Sequence, residues 1–204
     1  NAGLKSHHKV LEVGCGIGTV SQLIAKNTPK GEVLAVDISP ESIAQAKIIW
    51  NGLGNLQFEV SDMKNFHKKD TLFDAVVFPD VLEHIPVEDH FALFETIKKH
   101  SHSETFIFIH IPSPRFLEWM IANEPEKLQV IDQPLDTGEL VSKLSANDFY
   151  LDKMNTYSLF YKEKDYQYFV FKKKQAIQST NHRDKWTILK ERLLIKLKQK
   201  LPAF

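Results

Sequence analysis

The chain has 204 residues, of which 43% are hydrophobic and 25% charged, a composition typical of a globular protein with a full hydrophobic core. The 26 basic and 26 acidic residues are unevenly placed: residues 172–204 hold ten of the basic and two of the acidic ones. The acidic remainder is a poor nucleic-acid binder, and no apolar segment approaches the roughly 20 residues that a membrane-spanning helix needs.

The cysteine count and the first residues of the sequence indicate in which cellular compartment the protein is expected. Cys15 is the single cysteine, which excludes an internal disulfide and is typical of a reducing compartment. Residues 1–5 show no secretory signal, so we expect a cytoplasmic protein. The sequence does not begin with methionine, and we expect further residues upstream.

The first predicted strand, residues 9–13, leads into a turn with glycine at every second position. An amphipathic segment follows, so the pattern predicts a buried strand, a tight turn and a helix over residues 18–26. Glycine accepts positive φ and lets another molecule approach the backbone, so we expect a ligand here. Thr19 stands where a dinucleotide fingerprint needs its third glycine, and no lysine is placed for a phosphate-binding P-loop.

The second predicted strand, residues 32–36, ends at Asp37. Nucleotide-binding βαβ units place a carboxylate about 20 residues beyond the glycine turn, where it accepts hydrogen bonds from ribose hydroxyls. Ser39 and Pro40 predict the N-cap and first position of a helix that continues to about Trp50.

Strands and helices continue in alternation. The pattern predicts strands at residues 56–60, 72–78 and 105–110, and helices over residues 87–99 and 137–145. Residues 72–78 are apolar enough for a strand buried on both faces. Two aromatic-rich strands, residues 150–161 and 166–171, form a predicted hairpin that turns at residues 162–165.

The segment from Glu12 to Gly18 resembles the first motif of the class I S-adenosylmethionine-dependent methyltransferases. In that family the glycine turn lies against the methionine and ribose portions of the cofactor, and the acidic residue helps to hold the methionine amino group. The resemblance therefore assigns the following residues to cofactor binding: Glu12, Gly14, Cys15, Gly16 and Gly18. A redox role is also conceivable for Cys15. We favour the alternative that it packs in the turn as a small buried residue.

Further residues at predicted strand ends match positions that this family uses. Asp37 would hold the ribose hydroxyls, and Ile38 would lie against the adenine. Asp62 would accept a hydrogen bond from the adenine amino group, with Met63 as an apolar neighbour. Pro79 and Asp80 open residues 79–86, which resemble the segment after strand 4 in methyltransferases of small molecules, quinones and sugars. The resemblance covers residues 9–171.

This resemblance implies an α/β protein with a Rossmann-like class I methyltransferase fold: a seven-stranded, mostly parallel sheet with an antiparallel last strand. It implies an enzyme that moves a methyl group from S-adenosyl-L-methionine to a small-molecule or saccharide acceptor at oxygen, leaving S-adenosyl-L-homocysteine. A non-catalytic methyltransferase-like binding module is the alternative. A nicotinamide-dependent oxidoreductase is disfavoured by Thr19.

Methyl transfer to an alcohol needs a base, for which a histidine near neutral pKa is suited. His84 follows the fourth predicted strand and His110 ends the fifth, so both are catalytic candidates. Alternatively, His84 bonds the backbone at the start of its helix and His110 forms a wall at the sheet edge. Glu83 either orients a ligand or caps a helix N-terminus. No metal site is predicted, because His100-Ser101-His102 lacks a second ligand cluster.

Three parts are predicted along the chain. Residues 1–171 form the methyltransferase domain, with an inserted lid at about residues 111–136, followed by a linker at 172–185 and a basic amphipathic helix at 186–204. In the insert, Arg115 and Trp119 either bind an anionic or saccharide substrate or anchor the lid. The helix would dock on protein, lie on an anionic membrane, or fold back onto the acidic domain.

Overall fold

A computed structural model describes residues 3–177 and 182–200, without the side chains of residues 196–200. The chain divides into two compact units, residues 1–174 and residues 175–204. The first is an α/β domain and the second contains one helix, α6 (Lys185–Lys200). Among the helices described, none is long and apolar enough to cross a membrane.

The main unit alternates strands and helices along the chain. Its strands are β1 (Lys9–Val13), β2 (Glu32–Asp37), β3 (Leu56–Val60), β4 (Phe73–Pro79), β5 (Ser101–Pro112), β6 (Phe149–Tyr157) and β7 (Tyr166–Lys173). Its α-helices are α1 (Thr19–Asn27), α2 (Pro40–Ile49), α3 (His90–Lys99), α4 (Pro114–Asn123) and α5 (Thr137–Ala146). Short 3-10 turns occupy Leu82–His84, Val87–Asp89 and Pro125–Lys127.

The seven strands form one sheet in the order β3-β2-β1-β4-β5-β7-β6. Strands β1 to β5 are parallel to one another, and β7 is antiparallel to both β5 and β6. This confirms the predicted mostly parallel sheet with an antiparallel last strand. The strand order reverses between β1 and β4, and ligands of open α/β sheets bind at the carboxyl ends of the strands beside such a reversal.

Two hydrophobic cores cover the two faces of the sheet. Leu11 and Val10 are neighbours on β1, and each is completely buried in a different core because successive strand residues point to opposite faces. Helices α3 and α5 contribute to the core that contains Leu11, whereas α1 and α2 contribute to the one that contains Val10. Burial on both faces explains why the central strands are almost continuously apolar.

The bounds of three predicted elements differ from those in the structure. Strand β5 begins at Ser101 rather than residue 105, because Ser101 pairs with Phe73, and it continues to Pro112 through pairing with β7. The helix predicted from residue 87 begins with a 3-10 turn, and α3 itself starts at His90. Strand β6 ends at Tyr157 rather than residue 161.

The early end of β6 follows from a buried carboxylate in the next turn. Asp165 is completely buried, and its two oxygens accept hydrogen bonds from the backbone N–H groups of Leu159 (2.7 Å) and Phe160 (2.9 Å). Burial opposes ionisation, but these backbone donors outweigh it and lower the pKa of Asp165. The carboxylate thus turns the chain where the sequence pattern predicted continued strand.

The start of α2 was predicted correctly. Ser39 is the N-cap of α2, where its hydroxyl oxygen accepts from the N–H of Ser42 (3.1 Å) and Pro40 occupies the first helical position. In the second unit, the predicted helix of residues 186–204 corresponds to α6, and residues 201–204 lie outside the described part of the chain. On α6, Trp186, Leu189 and Leu193 are exposed.

Candidate active site

The glycine turn after β1 is held against the end of β2. The N–H groups of Gly14 and Cys15 both donate to the Val36 carbonyl, at 2.8 and 3.0 Å. The N–H of Gly18 donates to the Cys15 carbonyl (2.9 Å). Gly14, Gly16 and Gly18 have φ values of +75°, +52° and +84°, so the turn requires residues that tolerate the left-handed region.

The three glycines leave space for different neighbours. A Cβ on Gly14 would lie 2.1 Å from Cγ2 of Val81, and a Cβ on Gly18 would lie 2.7 Å from the ring of Phe58. A Cβ on Gly16 would meet no atom within 4 Å. Gly14 and Gly18 thus accommodate side chains of the protein, and Gly16 is the glycine of this turn that borders open space.

Asp37 joins the glycine turn to the end of β2. Its Oδ2 accepts from the N–H of Gly16 (2.7 Å), and its Oδ1 accepts from the N–H of Ser39 (2.9 Å). Each carboxylate oxygen has a second lone pair that can accept a hydrogen bond from a ligand. Beside it, the side chain of Ile38 is 71% exposed. The structure thus brings together the turn, a fixed carboxylate and an exposed apolar side chain.

Glu12 lies beneath this turn without a hydrogen-bond partner. Its side chain is completely buried, and neither carboxylate oxygen has a partner within the described residues; the buried hydroxyl of Ser21 is also unpaired. Burial raises the pKa of Glu12 to about 7; the nearby Ser21 hydroxyl, although it is outside hydrogen-bonding geometry, opposes the rise in part, and the charge of Asp37 adds to it. A buried group in this state gains from a cationic or hydrogen-bond-donating ligand.

Cys15 is buried within the turn. Its side chain is 7% exposed, and burial, together with the charges of Glu12 and Asp37, raises the pKa of its thiol to about 12. The thiolate is the reactive form of cysteine, so this environment favours a packing role over redox chemistry.

Asp62 and Met63, which follow β3, occupy different environments. Asp62 is exposed, and its Oδ1 accepts from the N–H of Lys64 (3.0 Å). Met63 has a φ of +64° and is 2% exposed because its side chain packs in the core that contains Leu11. The N–H of Ser61 donates to the Asp37 carbonyl (2.8 Å), so this segment begins directly beside the end of β2.

Across the strand-order reversal, Pro79 and Asp80 meet His110. Pro79 ends β4 and pairs with His110 of β5. The N–H of Asp80 donates to the His110 carbonyl (2.9 Å), and Asp80 Oδ1 lies 2.9 Å from Nδ1 of the His110 ring. Asp80 has a φ of +51°, the conformation in which the backbone and side chain both engage His110. A carboxylate placed in this way orients an imidazole ring.

The other ring nitrogen of His110 contacts a tyrosine that the sequence analysis missed. Nε2 lies 2.6 Å from the hydroxyl of Tyr157, and the ring of Tyr166 stacks on His110 at a centroid distance of 4.8 Å. With Nδ1–H donating to Asp80, Nε2 accepts from the Tyr157 hydroxyl. Burial, followed by the charge of Asp80, raises the pKa of Tyr157, so it remains a phenol at neutral pH. Strand pairing brings these rings together, and no local pattern predicts it.

Glu83 is a second buried carboxyl group. It is 2% exposed, one of its oxygens has no partner among the described residues, and burial raises its pKa to about 8. Its side chain caps no helix, so the capping interpretation is wrong.

His84 connects the same turn to the insert. Nδ1 of His84 lies 2.5 Å from the Ile131 carbonyl and 3.4 Å from the carboxylate of Asp132. The side-chain amide of Gln133 donates to the carbonyls of Glu83 (3.3 Å) and Ile85 (3.1 Å). These contacts hold residues 131–133 against the turn that follows β4.

The remaining candidates lie in two other places. Arg115 and Trp119 line a cleft of about 720 Å³ at the start of α4. His100 Nδ1 contacts the Thr96 carbonyl (2.9 Å), and His102 pairs with Asp74 (3.1 Å). No three His, Cys, Asp or Glu side chains within residues 3–177 and 182–200 are grouped as metal ligands.

Comparison with known proteins identifies relatives for part of the chain. Residues 10–103 match the family model of a methyltransferase domain. The chain is 38% identical over 79 residues to malonyl-[acyl-carrier protein] O-methyltransferase 1 of Ilyobacter polytropus, a match to 37% of this chain and 30% of that protein. It is 37% identical over 97 residues to phosphoethanolamine N-methyltransferase 1 of Arabidopsis thaliana, a match to 47% of this chain and 19% of that protein. The chain thus matches less than a third of the length of these curated relatives.

A solved structure supports the fold over a longer region. The chain is similar to magnesium protoporphyrin IX methyltransferase from Synechocystis, solved with bound S-adenosylhomocysteine, with a TM-score of 0.64 and 20% identity. The match covers 82% of this chain and 75% of that one. At this level of identity the similarity shows a shared fold.

Proposed function

We propose that this chain transfers a methyl group from S-adenosylmethionine to a small-molecule acceptor, because residues 10–103 match a methyltransferase-domain model and the domain has the fold of a methyltransferase solved with bound S-adenosylhomocysteine. The observation that carries the proposal is the glycine turn that Asp37 fastens above the buried, unpartnered carboxyl group of Glu12. This arrangement lies at the carboxyl ends of β1 and β2, beside the strand-order reversal.

The residues at this site suit the proposed cofactor. Glu12 is a buried acid without a partner among the described residues, as expected of a group that awaits the cationic methionine amino group. Gly16 offers an open backbone, and Asp37 offers carboxylate oxygens to ribose hydroxyls. Ile38 and Asp62, at the ends of β2 and β3, would border the adenine. The cofactor supplies an activated methyl group on a sulfonium, so the protein mainly aligns the partners and excludes water.

His110 is the proposed base for an acceptor hydroxyl. Its Nε2 already accepts a hydrogen bond from the Tyr157 hydroxyl, so the Tyr157 oxygen can take the proton of the acceptor hydroxyl while the Tyr157 proton passes to Nε2. Asp80 then stabilises the imidazolium at Nδ1. His84 holds the insert through Ile131 and Asp132, and we assign it a positioning role.

The acceptor class is inferred from the names of the relatives and from the proposed base. The relatives named above include an O-methyltransferase and an N-methyltransferase, and both names indicate acidic acceptors bearing malonyl or phosphate groups. The available base favours oxygen in this chain. A saccharide hydroxyl is a more specific candidate acceptor, because His110 and Tyr157 could remove the proton of any alcohol.

Calorimetric titration with S-adenosylhomocysteine tests the cofactor assignment, with NADH as the control ligand. We expect micromolar binding of S-adenosylhomocysteine and none of NADH. Asp37→Ala removes both the ribose acceptor and the bond to Gly16, so its affinity should fall sharply. Unchanged affinity in this variant would remove Asp37 from the site, and absence of binding to the native chain would contradict the proposal.

Release of S-adenosylhomocysteine across a panel of hydroxyl-bearing acceptors tests the base. His110→Ala should bind the cofactor as the native chain does and lose about 10²–10⁴-fold in turnover, the usual contribution of a positioned base. His102→Ala is the matched control, because His102 pairs with Asp74 at the opposite end of β5. Full turnover in the His110 variant would end its assignment as the base.

A further inference from the structure

A cleft outside the proposed cofactor site combines aromatic walls with unpaired cations. It has a volume of about 720 Å³, within the size range of small-molecule sites. Its lining comes from the start of α4, one residue of β6 and the turn between β6 and β7: Ser113, Arg115, Phe116, Trp119, Thr156, Tyr161, Glu163 and Lys164. All three segments lie at the carboxyl end of the sheet, because Ser113 follows the last residue of β5 and Thr156 is the penultimate residue of β6.

The walls are built from three aromatic rings. Phe116 stacks on Trp119 at 5.9 Å between centroids and contacts Tyr161 at 4.6 Å. Trp119 is 46% exposed, although it is among the largest apolar side chains of the domain. An exposed ring beside two others offers a planar or hydrocarbon part of a ligand a surface on which to pack.

The charges of the cleft favour an anion. Arg115 is the one arginine among residues 1–177, a region with more acidic than basic residues. Within the described part of the chain, the side chains of Arg115 and Lys164 make no hydrogen bond or ion pair, and Glu163 is the single acid of the lining. The planar guanidinium group forms paired hydrogen bonds with carboxylates and phosphates.

Ser113 supplies a buried polar group at the same place. It is 8% exposed, lines the cleft, and is the N-cap of α4, yet its side chain makes no capping hydrogen bond. Its hydroxyl is therefore free to donate to a ligand oxygen. The N-terminal end of α4, a ten-residue helix, adds partial positive charge on the same side.

The turn that lines the cleft also borders the His110 group. Phe160, adjacent to Tyr161, contacts the ring of Tyr166 at 5.8 Å, and Tyr166 stacks on His110. The backbone N–H of Ser113 donates to the Asp165 carbonyl (2.7 Å), which ties the start of α4 to the same turn.

We propose that this cleft binds the anionic end, a carboxylate or phosphate, of an acceptor whose apolar or planar part packs on Trp119 and Phe116. Arg115, Lys164 and the Ser113 hydroxyl hold the anion. The term acceptor rests on the proposed function, whereas binding of the anion at this cleft does not depend on it.

Tryptophan fluorescence tests the inference with two probes that share a phenyl ring, phenyl phosphate and the neutral phenyl glucoside. We expect phenyl phosphate to quench the fluorescence saturably, with a dissociation constant at least about tenfold lower than that of phenyl glucoside. Charge-assisted hydrogen bonds form only with phenyl phosphate. Trp119→Phe should abolish the signal change, which locates the probe at the cleft. Benzoate in place of phenyl phosphate distinguishes a carboxylate preference from a phosphate preference.

Variants of the cations sharpen the test. Arg115→Gln should weaken phenyl phosphate about tenfold or more, and Arg115→Lys should lose less, because charge is kept and the paired geometry is lost. Lys162→Gln is the matched control: Lys162 belongs to the same turn and does not line the cleft, so affinity should not change.

Three results would overturn the inference: equal or tighter binding of the neutral glucoside, unchanged affinity in Arg115→Gln, or no saturable binding of either acid. Parallel titrations with S-adenosylhomocysteine separate this inference from the proposed function. Phosphate binding without cofactor binding would retain the cleft and contradict the methyltransferase assignment. Binding of S-adenosylhomocysteine without binding of phenyl phosphate or benzoate would support the proposed function and contradict the anion site in the cleft.

Discussion

At the scale of single residues, the glycine turn shows that one motif can meet several physical demands. Gly16 borders open space, whereas Gly14 is required because Val81, from the segment after β4, packs against its backbone. Asp37 uses both oxygens to fix the turn before any ligand arrives. Such fixing lowers the ordering cost of binding, as preorganised sites do.

Gly14→Ala is expected to destabilise the protein strongly. The positive φ costs about 1–2 kcal/mol for a residue with a Cβ, and overpacking against Val81 costs roughly another 1–3 kcal/mol. Denaturant unfolding measures the loss, with Gly52→Ala as the control, since a Cβ on Gly52 meets nothing within 4 Å and its φ is not positive.

A double-mutant cycle with Val81→Gly isolates the steric part, because it removes both methyl groups and the Cβ that the new side chain would meet. In the double variant the steric overlap is absent, so the destabilisation caused by Gly14→Ala should shrink to the cost of the positive φ alone. Strict additivity of the two changes would mean that Val81 does not limit the turn.

At the scale of elements, the insert between β5 and α5 is docked on the turn after β4 by a few polar contacts. The Gln133 side chain binds two carbonyls of that turn, and His84 binds the Ile131 carbonyl. Few apolar side chains secure residues 124–134, most of which are exposed or half-buried. Segments of this kind open at low free energy, as expected of a lid.

Gln133→Ala should loosen the insert and leave the sheet unchanged. Loss of two hydrogen bonds, at about 0.5–1.5 kcal/mol each, predicts roughly tenfold or greater acceleration of amide hydrogen exchange in residues 124–135. Gln129→Ala is the matched control, because the side chain of Gln129 makes no hydrogen bond within the described residues. Equal exchange in both variants would show that Gln133 does not hold the insert.

At the scale of the whole molecule, the fold places a carboxyl group in a core environment at the proposed cofactor site. The pKa of Glu12 is raised from 4.5 to about 7, so the folded protein holds a proton that the unfolded chain releases between these values. Stability from this group is complete below pH 4.5 and is lost as pH rises through about 7. Because the ionised Glu12 destabilises the protein without ligand, a cationic ligand that pairs with this carboxylate should increase the free energy of unfolding.

Glu12→Gln should therefore be more stable than the native chain at alkaline pH and equally stable below pH 4.5. The shift corresponds to a difference on the order of 3 kcal/mol above pH 7. Urea unfolding at pH 4 and at pH 8 measures the difference, with Glu118→Gln as an exposed control. Parallel stability curves for the Glu12 variant and the native chain would contradict the buried, unpaired state of Glu12.

Local sequence determined much of this molecule. The alternation of apolar strands with amphipathic helices predicted the α/β class, and the resemblance to methyltransferases gave the direction of the last strand, because these signals lie within short segments. Asp37 was found in the same way, since its distance from the glycine turn is a distance along the chain. Ser39 and Pro40 fixed the start of α2 through capping chemistry that involves only neighbouring residues.

Tertiary structure decided which side chains meet. The contact of Tyr157 with His110 depends on the register of β7 between β5 and β6, and the cleft depends on a turn that the Asp165 carboxylate folds. Val81 reaches Gly14 only because β4 lies beside β1. Strand order and register arise from packing among residues far apart in sequence, so no local pattern contains them. The sequence therefore located the residues of the proposed cofactor site, and only the fold assembled the residues proposed for the acceptor.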